Sequence, residues 1–368
     1  NLSVDNCLFE DNATRGDSGD TAATRAGGAI AAERVDPTAS ATMEVVNSSF
    51  IGNTSTQGGG AIYSNDSVSF DGSYFAGNSV SGGFGGAIYL DSNSGAGASL
   101  SNSVVSGNTA TSGGGLYLIV RSIEIDNTTF SANQAATGGA LFHFIIGTVD
   151  IVNSTFSANT ATVEGGALYI EPTGPGATDL NMLNVTITGN SAPSGGGIVN
   201  DANEAVITAV NTVIAGNSAG SGAEVAGAIR VSYSLIGAAA GDTDGAAITE
   251  LSPGTSLFNT NPLLESLADN GGQHVGRNGA FPMPTHDLRV NSPLIAAGDL
   301  SASFIGLSLP ATDQRGTGFP RIRNGGLEIG AIEFGAGLGG GGGALHALGL
   351  LILALFAGLT RRRARPVT

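Results

Sequence analysis

One phrase recurs through this chain: V-N-S-T-F-S-A-N at Val152–Asn159, a short variable link, then G-G-A-L-Y ending at Tyr169. Taking the second asparagine of each copy as a marker gives Asn12, Asn53, Asn78, Asn108, Asn133, Asn159, Asn190 and Asn217. Three positions before each marker stands an apolar residue: Phe9, Phe50, Phe75, Val105, Phe130, Phe156, Ile187 and Ile214. Six positions before it stands another asparagine, Asn6, Asn47, Asn102, Asn127, Asn153, Asn184 or Asn211, with Gly72 the exception. After the first seven markers comes a Gly-Gly pair, then Ala or Gly, then Ile or Leu, as in Gly59-Gly60-Ala61-Ile62 and Gly138-Gly139-Ala140-Leu141. Successive markers are 41, 25, 30, 25, 26, 31 and 27 residues apart. A unit near 25 residues with insertions means a stacked solenoid.

Chemistry selects the kind of solenoid. Helical repeats need apolar residues at 3.6 spacing and tolerate little glycine, whereas these copies alternate at period two, as in Ile123-Glu124-Ile125, and are crowded with Gly, Ser, Thr and Asn. Short strands joined by glycine bends, about 25 residues per turn, fit one coil of a parallel β-helix whose coils stack about 4.8 Å apart. In such a coil Phe50, Phe75, Phe130 and Phe156 point inward, each above the residue of the coil below. Each buried ring contributes roughly 2 to 3 kcal/mol by area. The markers Asn53, Asn78, Asn108, Asn133, Asn159, Asn190 and Asn217 are expected to take a left-handed backbone at a bend and to hydrogen-bond side chain to side chain as a ladder. They read as structural residues, although Asn127-Thr128-Thr129 and Asn153-Ser154-Thr155 match the glycosylation acceptor pattern.

The pairing of F-x-x-N with G-G-A-[IL] resembles the repeats of bacterial polymorphic outer-membrane proteins, from Asn1 to about Gly237. The resemblance implies a right-handed, single-stranded parallel β-helix on the cell surface. The expected fold is therefore all-β, a solenoid of about nine coils over residues 1–237, begun before Asn1 and so truncated at its N-terminus.

Composition limits the partners. Residues up to Phe334 carry ten arginines against 30 acids, a balance of −20, and the chain contains no lysine. An acidic, lysine-free body argues against nucleic acid and anionic membrane surfaces as partners. No cofactor or metal is expected, since no cation-binding loop motif occurs. The lone Cys7 fills the slot that Ser48 and Ser154 fill elsewhere, which makes it a small packing residue. Arg15-Gly16-Asp17-Ser18 looks like the tripeptide that integrins recognise but sits in a polar insertion. Lateral loops such as Asp91–Ala98 and Glu171–Thr178 are expected on one side of the rod, where β-helices carry recognition.

After Asn217 the Gly-Gly half of the repeat decays, and from Asn261 the composition shifts toward Pro, Leu and Asp. The series N-P-L-L, L-A-D-N-G-G, H-D-L, N-S-P-L-I-A-A-G-D, T-D-Q-R-G, P-R and E-I-G-A-I-E-F is similar to the choice-of-anchor Q region of bacterial surface proteins, departing from it at Ala296 and Glu328. Residues 238–334 are accordingly expected to cap the last coil, with Ile329, Ile332 and Phe334 in a final covering strand. Asp299, Asp313, Arg315, Arg321 and Glu333 read as turn and salt-bridge residues. A Gly-rich linker, 335–343, precedes an apolar run, 344–360, and a basic tail, 361–368. The apolar run is expected to be a short transmembrane helix, held by Arg361, Arg362, Arg363 and Arg365 on the cytoplasmic side. Gly340, Gly341, Gly342 and Gly343 with that helix and those arginines resemble the GlyGly-type C-terminal sorting signal of Gram-negative bacteria. The resemblance implies processing by a rhomboid-family protease, and a location on the envelope or in the medium after cleavage.

Many β-helices are polysaccharide lyases or hydrolases, which makes catalysis the competing expectation. The companion motifs N-T-D, D-D, G-H-G and R-I-K of galacturonan hydrolases are absent, with Arg321-Ile322-Arg323 the nearest. Beyond the first copies the coils offer only Arg121 and Arg230 as basic groups for a polyanionic substrate. His143 reads as a packing residue. The expected function is non-enzymatic: a monomeric, surface-anchored rod for adhesion, envelope structure or carbohydrate contact. The alternative is a carbohydrate-active enzyme whose site lies in the loops or upstream of Asn1.

Overall fold

The computed structural model describes residues 1–14, 26–33, 42–92, 97–144, 147–171, 178–201, 205–237, 248–301 and 305–335. The chain winds through three stacks of parallel strands. The first sheet runs from Leu2–Asp5 to Ile248–Glu250 with ten strands, the second from Leu8–Glu10 to Leu257–Phe258 with ten, and the third from Ile30–Ala32 to Val225–Ala226 with eight. The architecture is an all-β parallel solenoid. The expected nine coils are not what the strands show: among the described residues the first two faces have ten strands each and the third has eight, ending where the Gly-Gly half of the repeat decays.

One coil follows the repeated phrase. Thr148–Val152 lies in the first sheet, Asn153 turns the chain, Thr155–Ser157 lies in the second, Ala158 turns it again, and Leu168–Glu171 enters the third. Both turning residues are left-handed, with φ of 47° at Asn153 and 56° at Ala158. The left-handed bend thus falls on the first asparagine of each copy and on the residue before the marker, and not on the marker itself. A small amide side chain tolerates that backbone, which explains the column Asn6, Asn47, Asn102, Asn127, Asn153, Asn184 and Asn211, with Gly72 as its natural substitute.

Inside the rod, Phe9, Phe50 and Phe75 stack at centroid distances of 4.8 and 5.0 Å, and Phe130 stacks on Phe156 at 4.6 Å with the rings 2° from parallel. Val105, Ile187 and Ile214 continue the column in register. Beside it the marker asparagines are fully hydrogen-bonded. Asn159 Oδ1 accepts from the N–H and Nδ2 of Asn133 at 3.0 and 2.9 Å, while its Nδ2 donates to Asn190 Oδ1 at 2.9 Å and to the Phe130 carbonyl at 3.1 Å. The pattern continues along the column to Asn217, where Glu224 stands in for the next asparagine. Its Oε2 accepts from Asn217 Nδ2 at 2.6 Å and its Oε1 from the Gly216 N–H at 3.0 Å. A second ladder, of hydroxyls, follows the left-handed asparagines. Ser48 Oγ accepts from the Cys7 N–H and donates to the Val46 carbonyl, and Ser73, Ser103, Thr128 and Ser154 repeat the arrangement. Cys7 fills the same slot with its thiol against the Asp5 carbonyl at 3.2 Å.

The Gly-Gly pair has two separate causes. Gly138 has φ of 63°, and a Cβ on Gly139 would lie 2.1 Å from the Gly166 carbonyl oxygen of the next coil. The first position needs the backbone freedom and the second needs the space.

Residues 263–334 do not cap the last coil. They form an arm that runs back along the outside of the second sheet and over the adjoining edge of the first. After Leu257–Phe258 the chain turns at Asn259 and Leu263 and enters an antiparallel hairpin, bridged at Leu264–Leu288, Ala268–Thr285 and His274–Val275 with Phe281–Pro282. The tip reaches the first coil, where the Asn278 N–H donates to Asn6 Oδ1 at 2.7 Å. On the way Gln273 donates to Asn102 at 2.6 Å, Phe281 stacks on Tyr74 at 3.8 Å, and Val275 and Met283 cover Val104. A second pass lays Ile305, Leu307 and Leu309 on Val152, Leu183 and Val210, and sets Gln314 between Thr129 and Thr155. Ile329 is buried with Leu288 and Leu294 against Val213 and Leu235, and neither it nor Ile332 nor Phe334 lies in a strand. The reason is the outward row of the second sheet: Val104, Val213 and Leu235 are apolar, and covering them removes more apolar surface from water than closing one strand edge would.

Candidate functional site: the open face of the first sheet

Of the charged residues in the arm, Asp313, Arg315, Arg321 and Glu333 come together, whereas Asp299 is held apart by Asn211. Arg315 pairs with Asp313 at 2.5 Å and Arg321 with Glu333 at 2.9 Å. Arg321 also donates to Asn153 and to the carbonyls of Gly330 and Ala331. Burial pulls its pKa down to about 10, against the carboxylates of Asp313 and Glu328, so it remains charged at neutral pH. Asp313, Arg321 and Glu333 have no exposed surface. This cluster fastens the arm to the rod and offers no access to a substrate.

The three faces of the rod differ in what covers them. The second sheet lies under the arm. Outside the third sheet Tyr63, Tyr89, Tyr117, Phe142 and Tyr169 stack in a column packed by Phe84, Ile119 and Phe144. Burial, with help from Glu171 and Asp91, pushes the Tyr117 phenol up to about 12. On the first sheet the arm covers the edge at Val152, Leu183 and Val210 with Ile305, Leu307 and Leu309, and the outward row beside that edge stays open. Strand alternation turns Glu44, Ser69, Ser99, Glu124, Asp150 and Asn181 outward in one in-register row, with Glu44 and Glu124 exposed. Asn181 donates to Asp150 at 2.9 Å. A shallow depression of about 370 Å³ lies over Thr42, Glu44, Ser67, Ser69 and Ser99. In the adjacent row burial, aided by Glu124, raises the Asp126 carboxyl to about 6, with Arg321 acting in the opposite sense. Period two made these outward residues legible in Ile123-Glu124-Ile125-Asp126. What the sequence could not indicate was which face would stay open, since that depends on where the arm lies.

This row presents carboxylates, amides and hydroxyls at the spacing of neighbouring strands, roughly 4.8 Å. It can make repeated hydrogen bonds to an extended polar chain, and it repels polyanions. Among the described residues no group of His, Cys, Asp and Glu could hold a metal ion. His143 is fully buried between Leu118 and Ile170, its Nε2 donating to the Val120 carbonyl at 3.1 Å, and burial lowers its pKa to about 4. His286, in the arm, sits between the Glu265 carbonyl and Ser157 Oγ of the rod, and burial lowers its pKa.

Arg15-Gly16-Asp17, most of the lateral loops, Gly340–Gly343, the apolar run 344–360 and the basic tail with Arg361, Arg362, Arg363 and Arg365 lie outside the described residues. Among the described residues no helix is long and apolar enough to cross a membrane.

A family model described as Chlamydia polymorphic membrane protein (Chlamydia_PMP) repeat matches residues 47–65 and 153–171. Each match begins at a left-handed asparagine, passes through the ladder asparagine and ends just beyond the Gly-Gly turn into the third sheet. No curated protein and no solved structure matches the chain. Two stretches of the chain are thus similar to a polymorphic membrane protein repeat, and each forms part of a coil of a parallel β-helix.

Proposed function

We propose that this rod is exported and works by contact, through adhesion or carbohydrate binding, and not by catalysis. The observation that supports this best is the division of its surface: two faces are packed over, and on the first sheet, beside the edge that the arm covers, a polar row from Glu44 to Asn181 stays open. A rigid array of strands holds that row without further ordering on binding, which favours multivalent contact with an extended glycan or a decorated surface. The test is retention on immobilised neutral polysaccharides and on host cells. A Glu44→Ala, Glu124→Ala, Asp150→Ala variant should lose at least tenfold in retention while its melting stays close to that of the parent. Equal retention would remove the first sheet from consideration, and release of new reducing ends or unsaturated products would favour the enzymatic alternative.

The anchoring reading belongs to the same proposal. The choice-of-anchor Q-like series in 238–334 and the GlyGly-type signal that follows it support an envelope protein of Gram-negative bacteria, trimmed by a rhomboid-type protease. Intact mass of protein recovered from its host should correspond to a chain ending within or near residues 335–343. A mass that still includes Ala344–Thr368 would refute cleavage.

A further inference from the structure

The arm is joined to the rod through a single short connection, Asn259–Leu263, and its other contacts with the rod are non-covalent. Two residues of that connection are left-handed without being glycine, Asn259 at φ 49° and Leu263 at φ 54°. The Leu263 end is fixed within the arm itself: the Arg289 N–H donates to the Leu263 carbonyl at 3.0 Å beside the Leu264–Leu288 bridge, and Ser292 Oγ donates to the Pro262 carbonyl at 2.7 Å. Pro262 and Leu263 therefore move with the arm, and a swing of the arm falls on Asn259–Asn261.

The docking is matched position by position. Aromatic meets aromatic at Phe281 and Tyr74, apolar meets apolar at Met283 and Val104, and amide meets hydroxyl where Gln314 sits between Thr129 and Thr155. At the tip, Asn6 and Asn278 exchange hydrogen bonds of 3.0 and 2.7 Å. Every one of these contacts is available, unchanged, from the arm of an identical chain. Exchange of an arm between copies therefore needs no new interface, only a connection that can swing and enough protein to compete with the tethered arm.

We propose that the arm is exchangeable and that the partner it fits is a second copy of this chain, giving dimers in which each arm lies along the other rod. The tethered form prevails in dilute solution, and exchange appears where copies are crowded. The proposal is independent of what the first sheet binds.

The test uses two full-length chains in a Cys7→Ser background, one carrying Asn6→Cys and the other Asn278→Cys. They are mixed at high concentration, warmed below the melting of the rod, diluted and oxidised. A disulfide-linked heterodimer is expected in severalfold excess over dimers formed by either variant alone. A chain carrying both substitutions reports whether the pair can close within one molecule. Closure there without heterodimer in the mixture overturns the proposal. Sedimentation of the unsubstituted chain after the same treatment gives a second reading free of engineered thiols. A dimer that persists on dilution is expected, and a purely monomeric chain counts against exchange.

Discussion

Replacing Arg321 with Met should weaken arm docking by about 3 to 5 kcal/mol, the range for removing one partner of a buried ion pair. Arg321 has no exposed surface, and it links Glu333 and the carbonyls of Gly330 and Ala331 to Asn153 of the rod. Without it Glu333 keeps only weak hydrogen bonds from the Glu328 N–H and remains a buried carboxylate lacking its countercharge. The loss should fall on the arm, since the rod's own ladders stay intact. Hydrogen exchange should therefore speed up in residues 263–334 well before it does in the coils. Removing both charges, as Arg321→Met with Glu333→Leu, should recover much of the loss because no orphaned ion is left. A single variant whose arm exchanges at the parental rate would show that the pair contributes nothing to docking.

His143→Leu is expected to change how stability depends on pH. In the fold the neutral imidazole is favoured, with a pKa near 4 against 6.5 for the unperturbed group. Above pH 6.5 it is neutral in both folded and unfolded chains and contributes no pH dependence. As pH falls, the unfolded chain takes up a proton that the folded chain refuses, so stability is lost between about pH 6.5 and 4. The span corresponds to roughly 3 kcal/mol. Leucine has no such term and matches the neighbouring Leu118 and Ile170 of the same inward column. At pH 7 the change should be small, because a hydrogen bond to Val120 and an unpartnered Nδ1 disappear together. Asp126 works in the opposite direction: its raised pKa stabilises the fold below 3.8, and that contribution is lost as pH rises through about 6. Because Asp126 titrates in both proteins, the difference between them isolates His143. Urea unfolding at pH 7 and pH 4 measures it, and parallel curves would exclude the histidine as the acid-sensitive group.

The coil was legible because each copy repeats the same physical demand. Phe156, Asn159 and the Gly165-Gly166 pair recur at fixed offsets, and a side chain stacked on its own equivalent declares its role by that repetition. Finer assignments depended on backbone angles that spacing does not encode, so the left-handed bend was expected at Asn159 and is found at Asn153 and Ala158. The hydroxyl ladder left a trace in the shared slot of Cys7, Ser48 and Ser154, but similarity of slot does not reveal a hydrogen bond. Glu224 left none, since a residue that ends a series occurs once. The course of the arm is not legible in the sequence for a related reason. Its turns suit a segment lying over an end or along a side, and its partners, from Asn6 to Leu235, are scattered through the rest of the chain. The open face inherits that ambiguity, because it is open only where the arm is not.

The pairing of arm and rod has a consequence for descent. An array of like repeats gains and loses members when its coding sequence recombines out of register, and the asparagine and phenylalanine columns would accept such a change almost anywhere. The arm would not. It meets an aromatic rung, an apolar rung and a pair of hydroxyl rungs in a set order, and one coil more or fewer would shift part of it by a strand spacing, leaving Gln314 and Arg321 opposite the wrong residues. Repeat number, which the coils leave free to drift, is thereby tied to the sequence of a segment that is not itself a repeat, so a change in length has to be inherited together with a matching change in the arm.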